Sequence, residues 1–394
     1  MNSLKNPFSP GAGTPPPALV GRQSIIHHAG IATARIKDGR SERSCLLVGL
    51  RGVGKTVLLR TIAEEVEKLE CQYLFIETPE DGGFSKVLLP PLRELLLHLD
   101  RMAGLNSKVK KALRVFRSFL GTIKFGPDDF NISLDVDPEV GVADSGDLQS
   151  DLPALFAAIA EAAAARKTAV VLIIDEMQYL TEKEFAALIT ALHLAAQKKL
   201  PFLLFGAGLP QLVGLAGKAK SYAERLFYYP KIGRLNEHDA AEALSKPVSE
   251  QRVRYEAKAL EEIVRITQGY PYFLQEWGYE TWNFAKQSPI SLKDVRTVTP
   301  HVIEKLDDNF FRVRFDRLTP GEKRYLYAMA QLGPGPHRSG DISAFMKKKA
   351  QGTAPLRASL IEKGMIYSPG HGETAFTVPL FDEFMCRVMK GERL

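Results

Sequence analysis

Cysteine is scarce in this chain: Cys45, Cys71 and Cys386 are the only three in 394 residues. So few, so scattered, exclude a disulfide framework and a zinc knuckle, and a reducing interior is the expected setting. The eight histidines show no metal-ligand spacing. No window approaches about 18 uninterrupted apolar residues, so no spanning helix and no membrane partner are expected. The opening MNSLKNPFSPGAGTPPP lacks the apolar stretch of a secretory signal, and internal repeats are absent. A cytoplasmic protein is therefore expected. Its composition is ordinary for globular chains, with 45% hydrophobic and 25% charged residues. The length suits two or three domains of roughly 100–200 residues each.

The basic excess is concentrated near the end. From Phe311 to Leu394 there are 14 Lys/Arg against 8 Asp/Glu, an excess equal to the +6 of the whole chain. A basic module on a neutral body suggests a polyanion partner, and a merely solvated basic surface is the alternative.

Residues 1–18, rich in Pro, Gly and Ser, read as a flexible leader. From 19 to 235, apolar runs alternate with helical patterns, which indicates an α/β core with a parallel sheet. Cys45–Val48, 72–78, 170–175 and 201–208 are its expected strands. An insertion over 105–145 carries a helix at 106–124 with six cations, no acid and an apolar stripe of Val109, Leu113, Phe116 and Leu120. A hairpin is expected at 123–137. Residues 236–316 read as helices broken at Gly269-Tyr270-Pro271 and Ser288-Pro289, with Trp277 and Trp282 in their core. Residues 317–394 read as three helices and a small hairpin, a winged-helix pattern, with Thr319, Pro320 and Glu322 forming a helix start.

The chemistry concentrates in Gly49, Leu50, Arg51, Gly52, Val53, Gly54, Lys55, Thr56 and Val57. A glycine, four residues, Gly-Lys-Thr, placed between a buried strand and an amphipathic helix, is a phosphate loop. The glycines let backbone N–H groups curl around the β-phosphate, Lys55 reaches the β/γ oxygens, and the Thr56 hydroxyl ligates Mg²⁺. The helix N-terminus adds a favourable dipole. A second piece, VVLIIDEMQYL, is a hydrophobic strand ending in Asp175-Glu176. Asp175 would hold the metal through water and Glu176 would polarise the attacking water, the two lying at the end of a neighbouring strand. ATP or ADP with Mg²⁺ is the implied ligand.

Gly49–Thr56, Asp175-Glu176 and Leu19-Val20-Gly21-Arg22 together resemble the AAA+ ATPases, in the branch related to origin-recognition initiators and to the signal-transducing STAND NTPases. The resemblance implies a P-loop α/β core, a helical lid over 236–316 and a C-terminal winged helix. It places Val20 and Arg22 beside the adenine and Pro271 near the nucleotide. It also makes Arg225 a candidate trans-acting arginine finger, and with it a homo-oligomer; the alternative is a surface pair with Glu224. Two features of that branch are missing. The fourth strand ends Gly206-Ala207-Gly208 with no polar sensor before Gln211, and the lid segment GYPYFLQEWG has no arginine. Slow, switch-like hydrolysis is expected, because transition-state charge lacks a cation there.

For the C-terminal module, DNA is the expected partner. Arg357 and Lys363 fall on the expected recognition helix, Lys347, Lys348 and Lys349 end the helix before it, and His371 sits at the wing tip. A module that contacts protein, as in a signalling or scaffold ATPase, is the alternative. Ile342, Phe345, Leu356, Leu360 and Ile361 would form its core.

Overall fold

The computed structural model describes residues 1–11, 13–101, 106–123 and 136–390. The chain forms two compact units. One comprises Arg22–Gly49 and Lys55–Ile232; the other comprises Met1–Gly21, Leu50–Gly54 and Gly233–Leu394.

The first unit holds α1 (Gln23–Lys37), β1 (Ser44–Gly49), α2 (Lys55–Lys68), β2 (Gln72–Glu77), α3 (Phe84–Arg101), α4 (Ser107–Thr122), α5 (Leu148–Ala165), β3 (Val170–Asp175), α6 (Glu182–Gln197), β4 (Phe202–Gly208), α7 (Gln211–Ala219), α8 (Ala223–Leu226), β5 (Phe227–Tyr228) and β6 (Lys231–Ile232). The sheet runs β2-β3-β4-β1-β5, with β6 also on β1, and each of these pairings is parallel. Every residue of β1, β3 and β4 is buried. A parallel sheet covered by helices on both faces demands such unbroken apolar runs, which is why they are legible in the chain.

One expectation changes here. β3 is not the neighbour of β1, because β4 lies between them. The apolar stripe of α4 is buried as expected, while Lys110, Lys111 and Arg117 face out. Lys108 and Arg114 pair with Glu161 and Glu139 at 2.8 and 3.1 Å. The hairpin expected at 123–137 lies almost wholly outside the described residues.

The second unit continues with α9 (Glu237–Glu250), α10 (Ala257–Thr267), α11 (Pro271–Phe284), α12 (Leu292–Leu306), α13 (Arg312–Phe315), α14 (Pro320–Gln331), β7 (His337–Arg338), α15 (Ser339–Phe345), α16 (Ala350–Glu362), β8 (Ile366–Tyr367), β9 (Glu373–Phe376) and α17 (Phe381–Val388). The three short strands form a sheet β7-β9-β8, both pairings antiparallel. β7 is an addition to the expected hairpin. Residues on both sides of the expected boundary at 316/317 fall in this second unit. A π-helical turn, Asp307–Phe311, carries α12 on into α13. Phe311 packs on Phe381 and Phe384 of α17, and Arg387 holds Asp307 through two short bonds. Phe345, expected in the core, is 39% exposed.

The N-terminal segment is not a free leader. Phe8 is buried against α11, where Gly278 makes room: a Cβ there would lie 2.7 Å from the Phe8 ring. Asn6 donates to the Tyr279 carbonyl at 3.0 Å, and the Trp282 indole donates to the Asn2 carbonyl at 3.0 Å. Gly and Pro flank these anchors, so composition alone hides them.

Candidate functional site

The loop after β1 turns sharply. Gly52 and Gly54 have φ of +76° and +89°, the left-handed region that side chains avoid. The turn places Lys55 and Thr56 on the first turn of α2. Lys55 is buried, and its ammonium donates to the Gly49 carbonyl at 3.0 Å. Val53 is buried and Val57 half-buried.

Although β4 separates β1 from β3, Thr56 at the start of α2 and Asp175 meet: the Thr56 hydroxyl donates to Asp175 Oδ2 at 2.5 Å. Oδ1 of Asp175 accepts the Glu176 backbone N–H at 2.8 Å. Asp175 is 2% exposed. Burial pushes its carboxyl above the usual range and the Glu176 charge adds to this, against the Thr56 and Glu176 N–H bonds and the Lys55 charge. Glu77 stands opposite Asp175 in the β2–β3 register. Its carboxyl is likewise raised, first by burial and then by Asp175 and Glu176. The carboxyl ends of β2 and β3 thus set the charges of Glu77, Asp175 and Glu176 near one another, with the buried Lys55 ammonium acting on Asp175. The two oxygens brought together on Thr56 and Asp175 are hard donors of the kind Mg²⁺ takes. Beside them, the buried Thr78 hydroxyl has no partner among the described residues.

Glu176 adopts a left-handed conformation, φ 53° and ψ 38°, which only a few per cent of non-glycine residues show. Its side chain accepts a short bond from the Gln178 amide. Gln178 was not singled out in the sequence, though its place two residues beyond Asp175-Glu176 is a usable signal.

Within the second unit, the loop residues Leu50–Gly54 associate with the start of α11. The Tyr270 hydroxyl donates to the Arg51 carbonyl, and the Tyr272 N–H donates to the Gly52 carbonyl at 3.3 Å. Gly52 is closely approached: a Cβ there would lie 3.0 Å from the Tyr270 ring. Pro271 is the first residue of α11, between these two tyrosines. Arg314 is a further residue that sequence reasoning passed over. Its guanidinium lies 4.1 Å from the Phe310 ring centroid and donates to the Phe310 carbonyl at 2.6 Å. It pairs with no carboxylate among the described residues. Burial, then the nearby Arg51 charge, pulls it down to about 10. Val20 is buried in this unit, whereas Arg22 precedes α1 in the other.

Arg225 is exposed on α8, and among the described residues it forms no ion pair with Glu224 or any other carboxylate. In the C-terminal region, two expected DNA contacts turn inward. Arg357 donates from Nε to the Thr374 hydroxyl at 2.9 Å and from Nη2 to the Glu373 carbonyl at 3.0 Å. Lys363 bonds the buried Glu322 carboxylate at 2.8 Å. Both tie α16 to its neighbours, and removing Lys363 would leave the buried Glu322 carboxylate without its cation, which is costly. Lys347, Lys348, Lys349 and His371 are exposed.

Comparison with known proteins agrees with the first unit. Residues 18–205 match the AAA ATPase domain family, and residues 308–385 match a domain of unknown function, DUF8462. A Walker-type ATPase of Pyrococcus abyssi is 15% identical, with 93% of this chain and 96% of that one covered and a TM-score of 0.57. The RuvB Holliday junction branch migration motor of Thermotoga maritima is 16% identical over 95% and 96%, TM-score 0.44. The Aeropyrum pernix ORC1 protein, solved in complex with DNA, is 13% identical over 94% and 93%, TM-score 0.46. No curated protein matches the sequence. The match over residues 18–205 is thus to an AAA ATPase domain, and it includes the phosphate loop and the Asp175-Glu176 strand end. No described helix is long and apolar enough to cross a membrane.

Proposed function

We propose that the chain is an ATP-dependent switch that hydrolyses ATP slowly and contacts DNA through a C-terminal winged helix. The observation that carries the ATPase half is the direct Thr56–Asp175 bond next to the buried Lys55. Lys55, which rests on the Gly49 carbonyl, turns its ammonium to the β- and γ-phosphates. Thr56 and Asp175 hold Mg²⁺, which when bound neutralises phosphate charge. Glu176 accepts the proton of the attacking water. The family resemblance assigns Val20, Arg22 and Pro271 to the nucleotide, and Arg225, exposed on α8, to a neighbouring copy. The Tyr270 and Tyr272 bonds to the loop link phosphate-loop geometry to α11.

For DNA, the supporting features are the basic excess and the exposed Lys347–Lys349 run. Three lysines at one corner bind phosphates rather than base edges. The inward bonds of Arg357 and Lys363 favour a second reading, in which this module binds protein. A duplex titration at two salt concentrations, with and without ATP, separates the two. DNA binding predicts a log–log salt slope of about −0.9 per phosphate contact. A salt-insensitive or absent interaction favours the protein partner.

A further inference from the structure

The carboxyl end of β4 offers no polar side chain, only Gly206-Ala207-Gly208. The turn Met177–Tyr179 after β3 lies against those glycines. A Cβ on Gly206 would collide with Met177 Sδ, and one on Gly208 would lie 2.9 Å from Gln178 Oε1. Gln178 therefore occupies space that a β4 side chain would otherwise take. Both ends of its amide are engaged. Oε1 accepts the Leu209 backbone N–H at 3.0 Å, and Nε2 donates to Glu176 Oε2. The Leu209 N–H can only donate, so it sets which way the amide faces and turns the NH₂ toward the carboxylate.

We propose that Gln178 is a positioning residue of the ATPase centre, supplying from the β3 turn the polar group that β4 lacks. Its amide spans the ends of β3 and β4 and clamps Glu176 by Oε2, leaving Oε1 open to the attacking water. This rests on Glu176 being the base. In the step itself, water oxygen bonds the γ-phosphorus as the bridging P–O bond breaks. The proton passes to Glu176, and ADP departs with the bridging oxygen. Gln178 exchanges no proton; it restricts the rotamers of Glu176, and misplacement of a base by about 1 Å costs on the order of 10²-fold.

The full chain is assayed with MgATP, measuring kcat and, by fluorescent-nucleotide titration, Kd. Gln178→Met keeps the volume and removes the amide. Gln178→Glu keeps the acceptor for Leu209 and sets a like charge against Glu176. Both are expected to lower kcat at least tenfold with Kd within twofold, the unchanged Kd also reporting an intact fold. In a Glu176→Asp background, whose shorter carboxylate cannot meet the amide, Gln178→Met is expected to add less than twofold, since residues acting as a unit are non-additive. Equal losses in both backgrounds, a Kd that moves with kcat, or wild-type turnover in Gln178→Met each overturn the proposal while leaving Glu176 as base. Wild-type turnover in Glu176→Gln removes the base itself, a distinct failure.

Discussion

Glu322 offers the sharpest quantitative test, because it decides whether Lys363 is a structural residue. The carboxylate is 2% exposed. Oε2 accepts the Thr319 N–H at 2.7 Å and the Lys363 ammonium at 2.8 Å, while Oε1 accepts the Ser359 hydroxyl at 2.7 Å. Burial works against the charged form, but Lys363 first, then the Thr319 and Ser359 bonds, outweigh it and hold the carboxyl at about 2 instead of 4.5. A depressed folded value means stability that is complete above the unfolded value and lost as pH falls toward the folded one. At about 1.4 kcal/mol per decade, the cluster contributes roughly 3 kcal/mol at pH 7 and about 1 kcal/mol near pH 3. Glu322→Gln keeps the shape and removes the charge. Hydrogen exchange, corrected for intrinsic rates, reads the effect locally. Amides of α14 and α16 are expected to exchange about a hundredfold faster in the variant at pH 7, with the gap closing to about tenfold by pH 3. Exchange within threefold of wild type at pH 7 would refute the reasoning and return Lys363 to the list of free cations.

Lys55→Ala should abolish ATP binding, since the phosphates lose their principal side-chain cation; unchanged affinity by calorimetry contradicts the phosphate-loop assignment. Glu176→Gln should retain ATP but not turn it over, whereas Asp175→Asn should weaken the Mg²⁺ dependence of hydrolysis, both read by phosphate release. Replacing Lys347, Lys348 and Lys349 with alanine should weaken DNA binding for all sequences alike and flatten the salt slope; an unaltered slope moves the contact elsewhere. Phe8→Ala removes a fully packed ring, a change that costs about 3–5 kcal/mol in a core. It should release residues 1–11 to limited proteolysis, and continued protection would mean that Asn6 and Asn2 suffice to hold the segment.

Much of the site was legible because its parts are local. A strand, a glycine turn and a helix start are written in consecutive residues, so Gly49–Val57 could be read without a fold. Asp175-Glu176 announces itself at the end of an unbroken apolar run, and Thr319 with Glu322 forms the expected capping box. The sequence alone therefore determined the long core strands, the phosphate loop and the acidic strand end. Tertiary structure decided what required distant segments to meet. Arg357 looked like a base-reading cation until Glu373 and Thr374 came beside it. The N-terminal segment looked like a leader until Phe8 met Gly278, whose missing side chain marks the space only once α11 is in place. Gln178 acquires its role from Leu209, on the far side of α6 in the chain. Local propensity and apolar periodicity act over a few residues. Whether a polar side chain faces water, a buried acceptor or a backbone N–H depends on neighbours that folding alone supplies.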